Sequence, residues 1–142
     1  MSRSTLVPFV LLAAALTGAC GSSLSNPTGP SNPSAPTQIS EAFEGTLTVN
    51  GATTYPFAVQ QTGTVTATLS ALSPDDAIVG LQLGTWNSTT ASCAVPSIYN
   101  DNATSGASVI GSATSTANFC VRIADVGKLA GPTDYVITVT HF

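Results

Sequence analysis

The segment from Thr64 to Ala71 alternates between hydroxyl and apolar side chains, and this period of two constrains the fold more than any other feature of the chain. Threonine or serine takes every even position, while the odd positions carry Val65, Ala67, Leu69 and Ala71. Successive side chains of a β-strand point to opposite faces, so the pattern predicts a strand with these four residues buried and the hydroxyls in solvent.

Seven further segments alternate in the same way or have the composition of short strands. They are residues 46–49, 54–60, 77–85, 94–99, 107–113, 119–124 and 135–140. Turn signals separate them at Asn50-Gly51, Gln61-Thr62-Gly63, Ser73-Pro74-Asp75-Asp76, Asn100-Asp101-Asn102 and Gly131-Pro132. No stretch of useful length has helical periodicity. About eight short strands at regular spacing predict an all-β fold, an antiparallel β-sandwich.

Charged residues are scarce in this chain. From Cys20 onward there are seven acidic residues and two basic ones, Arg122 and Lys128, whereas about a quarter of a typical soluble domain is charged. Threonine and serine take the outward positions instead, which suits strands because threonine is β-branched. There is no basic patch to contact phosphates, so the sequence excludes nucleic acid as a partner.

The first 19 residues have the composition of an export signal. Arg3 and the free amine precede a 14-residue apolar stretch that ends in small residues before Cys20. This stretch is shorter than the roughly 20 residues that a transmembrane anchor needs. The segment LTGAC at residues 16–20 resembles the cleavage and lipid-attachment signal of bacterial lipoproteins. We therefore expect a mature chain that begins at Cys20 with acyl chains on its thiol; cleavage near the same place without lipidation is the alternative.

The segment after this cysteine is predicted to be a tether. Gly21 rather than aspartate follows Cys20, which by the sorting habits of lipoproteins implies the outer membrane of the bacterial cell envelope. Residues 20–40 are Pro/Ser-rich and predicted to be disordered, with prolines at every third position from 27 to 36. This spacing matches an extended polyproline II helix, so the segment is expected to lift a domain at 41–142 away from the bilayer. A Pro-rich ligand for a recognition domain is the alternative, but the aromatic or basic neighbours of such ligands are missing.

The number of cysteines is odd, which is informative in a chain with an export signal. If Cys20 carries lipid, Cys93 and Cys120 remain as a pair, and an exported domain with two remaining cysteines most often joins them in a disulfide. A metal site is the competing interpretation, but two thiols and His141 near the far end of the chain have no recognisable ligand spacing. We therefore expect the disulfide.

Five strand-like segments follow one another in an order that is found in a known family. They are 55–59 (YPFAV), 63–69 (GTVTATL), 79–83 (VGLQL), 118–123 (NFCVRI) and 134–139 (DYVITV). Together they resemble the bacterial pre-peptidase C-terminal (PPC-type) domain over about residues 42–141. The resemblance implies a jelly-roll-like β-sandwich that accompanies secreted enzymes without catalysing a reaction, and some members bind polymeric substrates or calcium. The chain departs from the family in lacking a peptidase sequence and in having Asn118 where glycine is usual. The acidic residue that often precedes the middle Leu-x-Leu strand is displaced to Asp75-Asp76, which argues against calcium binding.

No arrangement of residues predicts catalysis. The single histidine, His141, lies in the last predicted strand, and no Gly-x-Ser-x-Gly motif is present. Most of the carboxylates lie in turn-like contexts, where aspartate accepts hydrogen bonds from the backbone. They are Glu41, Glu44, Asp75, Asp76, Asp101, Asp125 and Asp134. We therefore predict that the chain is not an enzyme.

Residue types indicate two candidate binding sites. Oxygen ligands for calcium are offered by the Asn100–Asn102 run, residues 75–76 and Asp125, but no loop has the spacing of a known calcium motif, and turn chemistry explains the same residues. Trp86, the single tryptophan, and Tyr99 are candidates for a platform on which a sugar or peptide stacks. A place for Trp86 in the core is the alternative, because aromatic side chains dominate the cores of small domains.

These observations predict a non-catalytic cell-envelope lipoprotein with a single binding or adhesion domain. We expect a polysaccharide or protein ligand that contacts Trp86, Tyr99 and the polar residues Asn100, Asp101 and Asn102. The membrane is a partner through the lipid anchor, and no cofactor is predicted apart from the calcium alternative. Two other functions remain open: a structural envelope domain that packs on a partner protein without a small ligand, and a hydrolase accessory with a calcium site.

Replacing Cys20 with serine tests the lipid anchor. The intact mass of the membrane-extracted protein should exceed that of the chain from residue 20 by the mass of acyl chains. The Cys20→Ser protein should be released from the membrane, because the acyl chains supply the hydrophobic anchor. Cys93→Ser keeps the anchor and serves as the control. A wild-type mass without acyl chains would show that Cys20 is not lipidated.

Overall fold

A computed structural model describes residues 35–94 and 98–142; the signal segment, Cys20 and most of the predicted tether lie outside these residues. The described part of the chain contains nine β-strands and no α-helix. The strands are β1 (Ile39–Leu47), β2 (Ala52–Val59), β3 (Gly63–Ser73), β4 (Val79–Asn87), β5 (Ser92–Ala94), β6 (Tyr99–Ala103), β7 (Ser108–Ala113), β8 (Ala117–Ala124) and β9 (Thr133–His141). Within the described ranges there is no helix long and apolar enough to cross a membrane.

The strands form two antiparallel sheets, which confirms the predicted β-sandwich. Sheet A has the order β1-β9-β3-β7, and sheet B has the order β2-β8-β4, with β5 and β6 both pairing with β4. When the three-residue β5 is set aside, the pairs are nested: β1 with β9, β2 with β8, β3 with β7 and β4 with β6. This is the connectivity of a long hairpin rolled into two sheets, which defines a jelly roll.

The core of the sandwich is built from the inward rows of both sheets. The alternation predicted over 119–124 and 135–140 forms inward rows in β8 and β9, since Val121, Ile123, Ile137 and Val139 are completely buried. They pack in one cluster with the inward side chains of β3 and β4. Each fully buried side chain of this size stabilises the fold by about 1.5–3 kcal/mol relative to an exposed position. The alternation in the sequence therefore accounts for the inner layer of both sheets.

The alternation of β3 is interrupted near the end of the strand. The pairing of β3 with β9 shifts between Leu69 and Ala71, where an extra residue makes a β-bulge. Ser70 and Ala71 are consequently both exposed, and the contact with the core resumes at Leu72. The prediction that Ala71 is buried is wrong, because a bulge reverses the side to which the following residues point.

The first strand lies further upstream than the sequence pattern indicates. β1 begins at Ile39, two residues before the expected start of the domain, and ends at Leu47. The alternation predicted over 46–49 continues into a turn, in which the backbone N–H of Gly51 donates to the Thr48 carbonyl at 2.8 Å. The expected turn at 50–51 is thus present, and Val49 is a largely exposed turn residue.

Residues 95–97 of the predicted strand at 94–99 lie outside the described residues, and the predicted turn at 100–102 is replaced by a strand. β5 ends at Ala94, and β6 begins at Tyr99 and includes the whole Asn100–Asn102 run. The prediction of a turn at Asn100–Asn102 is wrong, because the run lies within β6, where Asn100 pairs with Leu81 and the two following residues lie at the irregularity before Ala103. The pairing is irregular between Val79 and Leu81 of β4, so polar residues with turn preferences are accommodated at a bulge.

The predicted disulfide between Cys93 and Cys120 is confirmed, and it attaches β5 to the outside of sheet B. Cys120 alternates with the inward residues of β8 and so lies on the outer face, yet it is completely buried. The Cα atoms of Cys120 and Cys93 lie 5.8 Å apart, although their strands, β8 and β5, are each paired with β4 rather than with each other. This close approach is possible at Gly84, where a Cβ atom would lie 2.1 Å from the Ala94 carbonyl oxygen.

A pair of tyrosines joins the two sheets. Tyr55 of sheet B and Tyr135 of sheet A share a hydrogen bond of 2.8 Å between their hydroxyls, and Tyr55 also donates to the Glu44 carbonyl at 3.0 Å. Because the Tyr55 hydroxyl has a single proton, the shared bond requires Tyr135 to be its donor. Burial and this hydrogen bond raise the pKa of Tyr55 to about 12. Tyr55 therefore stays neutral, and the two hydroxyls satisfy one another at the sheet junction.

Adding a methyl group at Gly84 tests whether β5 must approach β4 so closely. We expect Gly84→Ala to lower the free energy of unfolding by about 1–3 kcal/mol, the usual cost of overpacking. Gly131→Ala is the control, because no atom lies within 4 Å of the position of its Cβ. Chemical denaturation measures both.

The same substitution in a Cys93→Ser/Cys120→Ser background should cost less, since β5 is then free to move away. An equal loss with and without the disulfide would show that the disulfide does not hold β5 against Gly84.

Candidate functional site

A row of polar and aromatic side chains crosses the outer face of sheet B. Thr54 of β2 pairs with Arg122 of β8, Arg122 pairs with Gln82 of β4, and Gln82 pairs with Tyr99 of β6. Paired residues point to the same face, and neighbouring strands are about 4.8 Å apart, so the four side chains stand side by side. We call these four residues the Tyr99 row.

The strand pattern determines why the Tyr99 row faces outward. In β4 and β8 these positions alternate with residues that are fully buried in the core, such as Leu81, Leu83, Val121 and Ile123. Thr54, Arg122 and Gln82 are half-buried by their neighbours, whereas Tyr99 is 58% exposed. Tyr99 is the one aromatic among the large, strongly exposed apolar side chains of the described residues.

Arg122 is the cation of the Tyr99 row. One of its guanidinium nitrogens, Nη1, donates to Gln82 Oε1 at 2.8 Å. A guanidinium group has five N–H donors and no acceptor. Within the described ranges, the carboxylate that contacts a basic side chain is that of Glu41, and its partner is His141. Arg122 therefore has no carboxylate partner there. Among the described residues, the hydrogen-bond partner of this half-buried positive charge is thus a neutral amide.

Trp86 lies on the same face of sheet B but apart from the Tyr99 row. It is half-buried, pairs with Cys93 of β5, and is not part of the hydrophobic core cluster. It follows Gln82 by four residues, which is about 13 Å along a strand. Gly84, covered by β5, lies between them. The structure therefore places Trp86 outside the core and brings Tyr99 together with Gln82 and Arg122 rather than with Trp86.

The polar residues that follow Tyr99 bond mainly within the protein. Asn100 Oδ1 accepts the backbone N–H of Asn102 at 2.9 Å. Asn102 Oδ1 accepts a hydrogen bond from the ammonium of Lys128 at 2.5 Å. Asp101 is exposed, and its Oδ1 lies beside Gly80 of β4. Two of the oxygens considered for calcium are thus occupied by N–H donors.

Asp125 organises the loop after β8. Its carboxylate accepts hydrogen bonds from the backbone N–H groups of Asn50, Gly127, Lys128 and Leu129 at 2.8–3.2 Å. The bond from Asn50, together with those from the loop, lowers the pKa of Asp125 below its usual value. Within the described ranges, no three His, Cys, Asp or Glu side chains converge as metal ligands. The carboxylate therefore serves the loop that carries Lys128.

His141 is placed in the interior rather than at a surface. It is 1% exposed, and its Nε2 lies 2.9 Å from Oε1 of Glu41. Its Nδ1 lies 3.3 Å from the Phe142 carbonyl oxygen, and its ring lies 5.4 Å from that of Phe57. Both ring nitrogens are engaged, so the imidazole is part of the packing between β1, β2 and β9.

Two other concave regions contain no residue of the Tyr99 row. A shallow groove of about 510 Å³ on the outer face of sheet A is lined by residues of β1, β3 and β9, including Glu44 and Asp134. The Asp134 carboxylate accepts a hydrogen bond from the Thr46 hydroxyl at 2.6 Å. A cavity of about 240 Å³ between the sheets is lined by Leu83, Phe119 and neighbouring residues. Neither contains an exposed aromatic side chain in one row with a cation, whereas the Tyr99 row contains both Tyr99 and Arg122.

The comparisons with known proteins provide no assignment. No family model matches the chain, and no curated protein matches it. The candidate site therefore depends on the chemistry of the described residues. The sequence indicated Tyr99 as an aromatic next to a polar run, but it did not indicate Arg122 or Gln82. The available signal was that Arg122 is the single cation within a predicted strand.

The depressed pKa of Asp125 predicts a pH-dependent stability. The folded state favours the ionised carboxylate, so its contribution is complete above the usual aspartate value of about 3.9 and is lost as the pH falls through the folded-state pKa. We expect Asp125→Asn to lower the midpoint of urea unfolding at pH 7, and the difference from wild type to disappear in acid. Asp75→Asn, in the exposed turn after β3, is the control. A difference that persists at pH 2 would contradict this assignment.

Proposed function

We propose that this protein is a non-catalytic lipoprotein of the bacterial cell envelope whose sandwich domain binds an extended polysaccharide through the Tyr99 row. The observation that carries the proposal is the position of an exposed tyrosine beside a hydrogen-bonded Gln82–Arg122 pair on an open sheet face. The export signal with LTGAC at residues 16–20 supports attachment at Cys20.

The shape of the site favours a polymer over a small molecule. Sites for small molecules are concave and bury most of the ligand. The Tyr99 row instead runs across four strands of an open face, from β2 to β6. A chain of repeating units can contact such a row along its length, with a sugar ring against Tyr99 and hydroxyls against the amide and guanidinium groups.

The composition of the domain is consistent with a role in binding sugars. Its outer surfaces carry threonine, serine and amide groups in place of charges, and these groups exchange hydrogen bonds with hydroxylated ligands. The strand patterns that resemble the PPC-type domain support the same function, since that domain is non-catalytic and some of its members bind polymeric substrates. The envelope location would bring the domain close to surface polysaccharides.

A second candidate is a structural domain that packs on an envelope protein through sheet A. The observation in its favour is Ile110, which is 63% exposed on the outer face of β7. The hydroxyls around it bond to one another, as Thr68 does with Ser108 at 2.8 Å and Ser70 with Thr138 at 2.5 Å. An apolar side chain among satisfied hydroxyls is suited to a protein contact rather than to a sugar.

Substituting Tyr99 tests the first function against the second. On a polysaccharide array, Tyr99→Ala should weaken binding at least about tenfold, because an aromatic side chain on which a sugar ring packs contributes more than about 1.4 kcal/mol. Ile39→Ala is the matched control, since it removes an exposed apolar side chain from β1, at the edge of sheet A far from β7.

If Ile110→Ala abolishes co-purification with an envelope protein while no polysaccharide binds to the wild type, the second function replaces the first. Equal loss of polysaccharide binding in Tyr99→Ala and Ile39→Ala would contradict the assignment to the Tyr99 row.

A further inference from the structure

We infer that the polysaccharide carries carboxylate groups, as a uronic-acid polymer does, and that Arg122 binds one of them. This inference rests on the proposed function of the same face and specifies the chemical class of its ligand. It depends on the charge and the partners of Arg122, which the aromatic contact with Tyr99 does not require.

The coordination of Arg122 by the described residues is incomplete. A half-buried charge is costly unless it is paired or fully hydrogen-bonded. Arg122 donates to Gln82 Oε1 and has no carboxylate partner within the described ranges. The domain has seven carboxylates, so a structural arginine had many available partners, yet none lies within ion-pair distance. A carboxylate supplied by the ligand would complete this coordination.

The cation on this sheet face is an arginine rather than a lysine. A guanidinium presents parallel N–H donors that match both oxygens of a carboxylate, which an ammonium cannot do. Lys128, the other cation of the domain, bonds to Asn102 instead and lies on the loop organised by Asp125. The chain therefore directs its arginine to the sheet face and its lysine to the structure of a loop.

The distance between Tyr99 and Arg122 suits a polymer that crosses the strands. Tyr99 and Arg122 lie on β6 and β8, with β4 between them, which separates their backbones by about 9.6 Å. A polymer that crosses the strands contacts both the ring and the guanidinium. Asp101, beside Gly80 on the same face, repels a carboxylate from that side of the row and directs it towards Arg122. The site thus has one position for negative charge.

The net charge of the whole domain is negative. Two basic and seven acidic residues follow Cys20, so the long-range field repels a polyanion. Binding of an acidic polymer must then depend on a local contact rather than on a basic patch. This makes the inference testable with single charge substitutions, because no general electrostatic attraction masks the effect.

The experiment titrates the full-length chain with polygalacturonate and with its fully methyl-esterified form, which has the same backbone but no charge. Wild type should bind the acid at least about tenfold more tightly than the ester, the range expected for hydrogen bonds to a charged group. Arg122→Gln should remove this preference. Lys128→Gln removes the same unit of charge elsewhere and should leave the preference unchanged within about twofold.

A second variant keeps the arginine and so separates recognition from folding. Gln82→Glu places a carboxylate against the guanidinium that Gln82 already contacts at 2.8 Å. The arginine is then paired internally, and the preference for polygalacturonate should disappear, although the unfolding midpoint stays equal to or above that of wild type. A retained preference in Gln82→Glu would overturn the inference.

The remaining outcomes separate this inference from the proposed function. If acid and ester bind equally and Tyr99→Ala weakens both, the inference is wrong and the proposed function stands. If neither these polymers nor any neutral glycan binds, both are wrong. If Arg122→Gln and Lys128→Gln reduce binding of the acid equally, the attraction is non-specific, and the assignment to Arg122 is overturned.

Discussion

Burial of the inward rows between two sheets is the constraint on which the other features of this domain depend. A strand that alternates threonine with valine or leucine gains free energy when its apolar face is covered, and here each sheet covers the other. The completely buried residues, such as Leu69, Leu81, Ile123 and Ile137, come from both sheets. Packed side chains fill the inner faces except for the cavity of about 240 Å³ beside Leu83 and Phe119, so an extended ligand must be contacted by the outer faces or by the rims.

That division explains where polar chemistry is found in the described residues. The polar groups of the interior are satisfied by one another, as in the Tyr55–Tyr135 pair and in the contact between His141 and Glu41. They therefore stabilise the fold and are not available to a ligand. Arg122, on the outer face, is the exception, since its environment supplies a neutral amide but no carboxylate. A sandwich with few charged residues makes such an exception easy to recognise.

The strands were predictable from sequence because alternation is a local property. The inward positions of β8 and β9 followed directly from it, and so did the β-sandwich. The bulge at Ser70 and Ala71 was not predictable, because it depends on the pairing of β3 with β9, more than 60 residues further along the chain. The Tyr99 row has the same origin. Gln82 and Arg122 are 40 residues apart, and their contact is set by strand register, which no local pattern encodes. Cys93 and Cys120 could be paired by elimination, but the covering of Gly84 by β5 required the structure.

The position of β1 at the edge of sheet A has a mechanical consequence. β1 has a hydrogen-bonded neighbour on one side, and residues 35–38 lead into its first pair, Ile39 with His141. Tension that enters along those residues would therefore load the end of the β1–β9 ladder, where strands separate by peeling, one pair at a time. The side-chain contact between Glu41 and His141 lies at that end and resists the first steps of separation. Resistance to pulling is thus concentrated in a few contacts near Ile39, whereas thermal stability is distributed over the whole core.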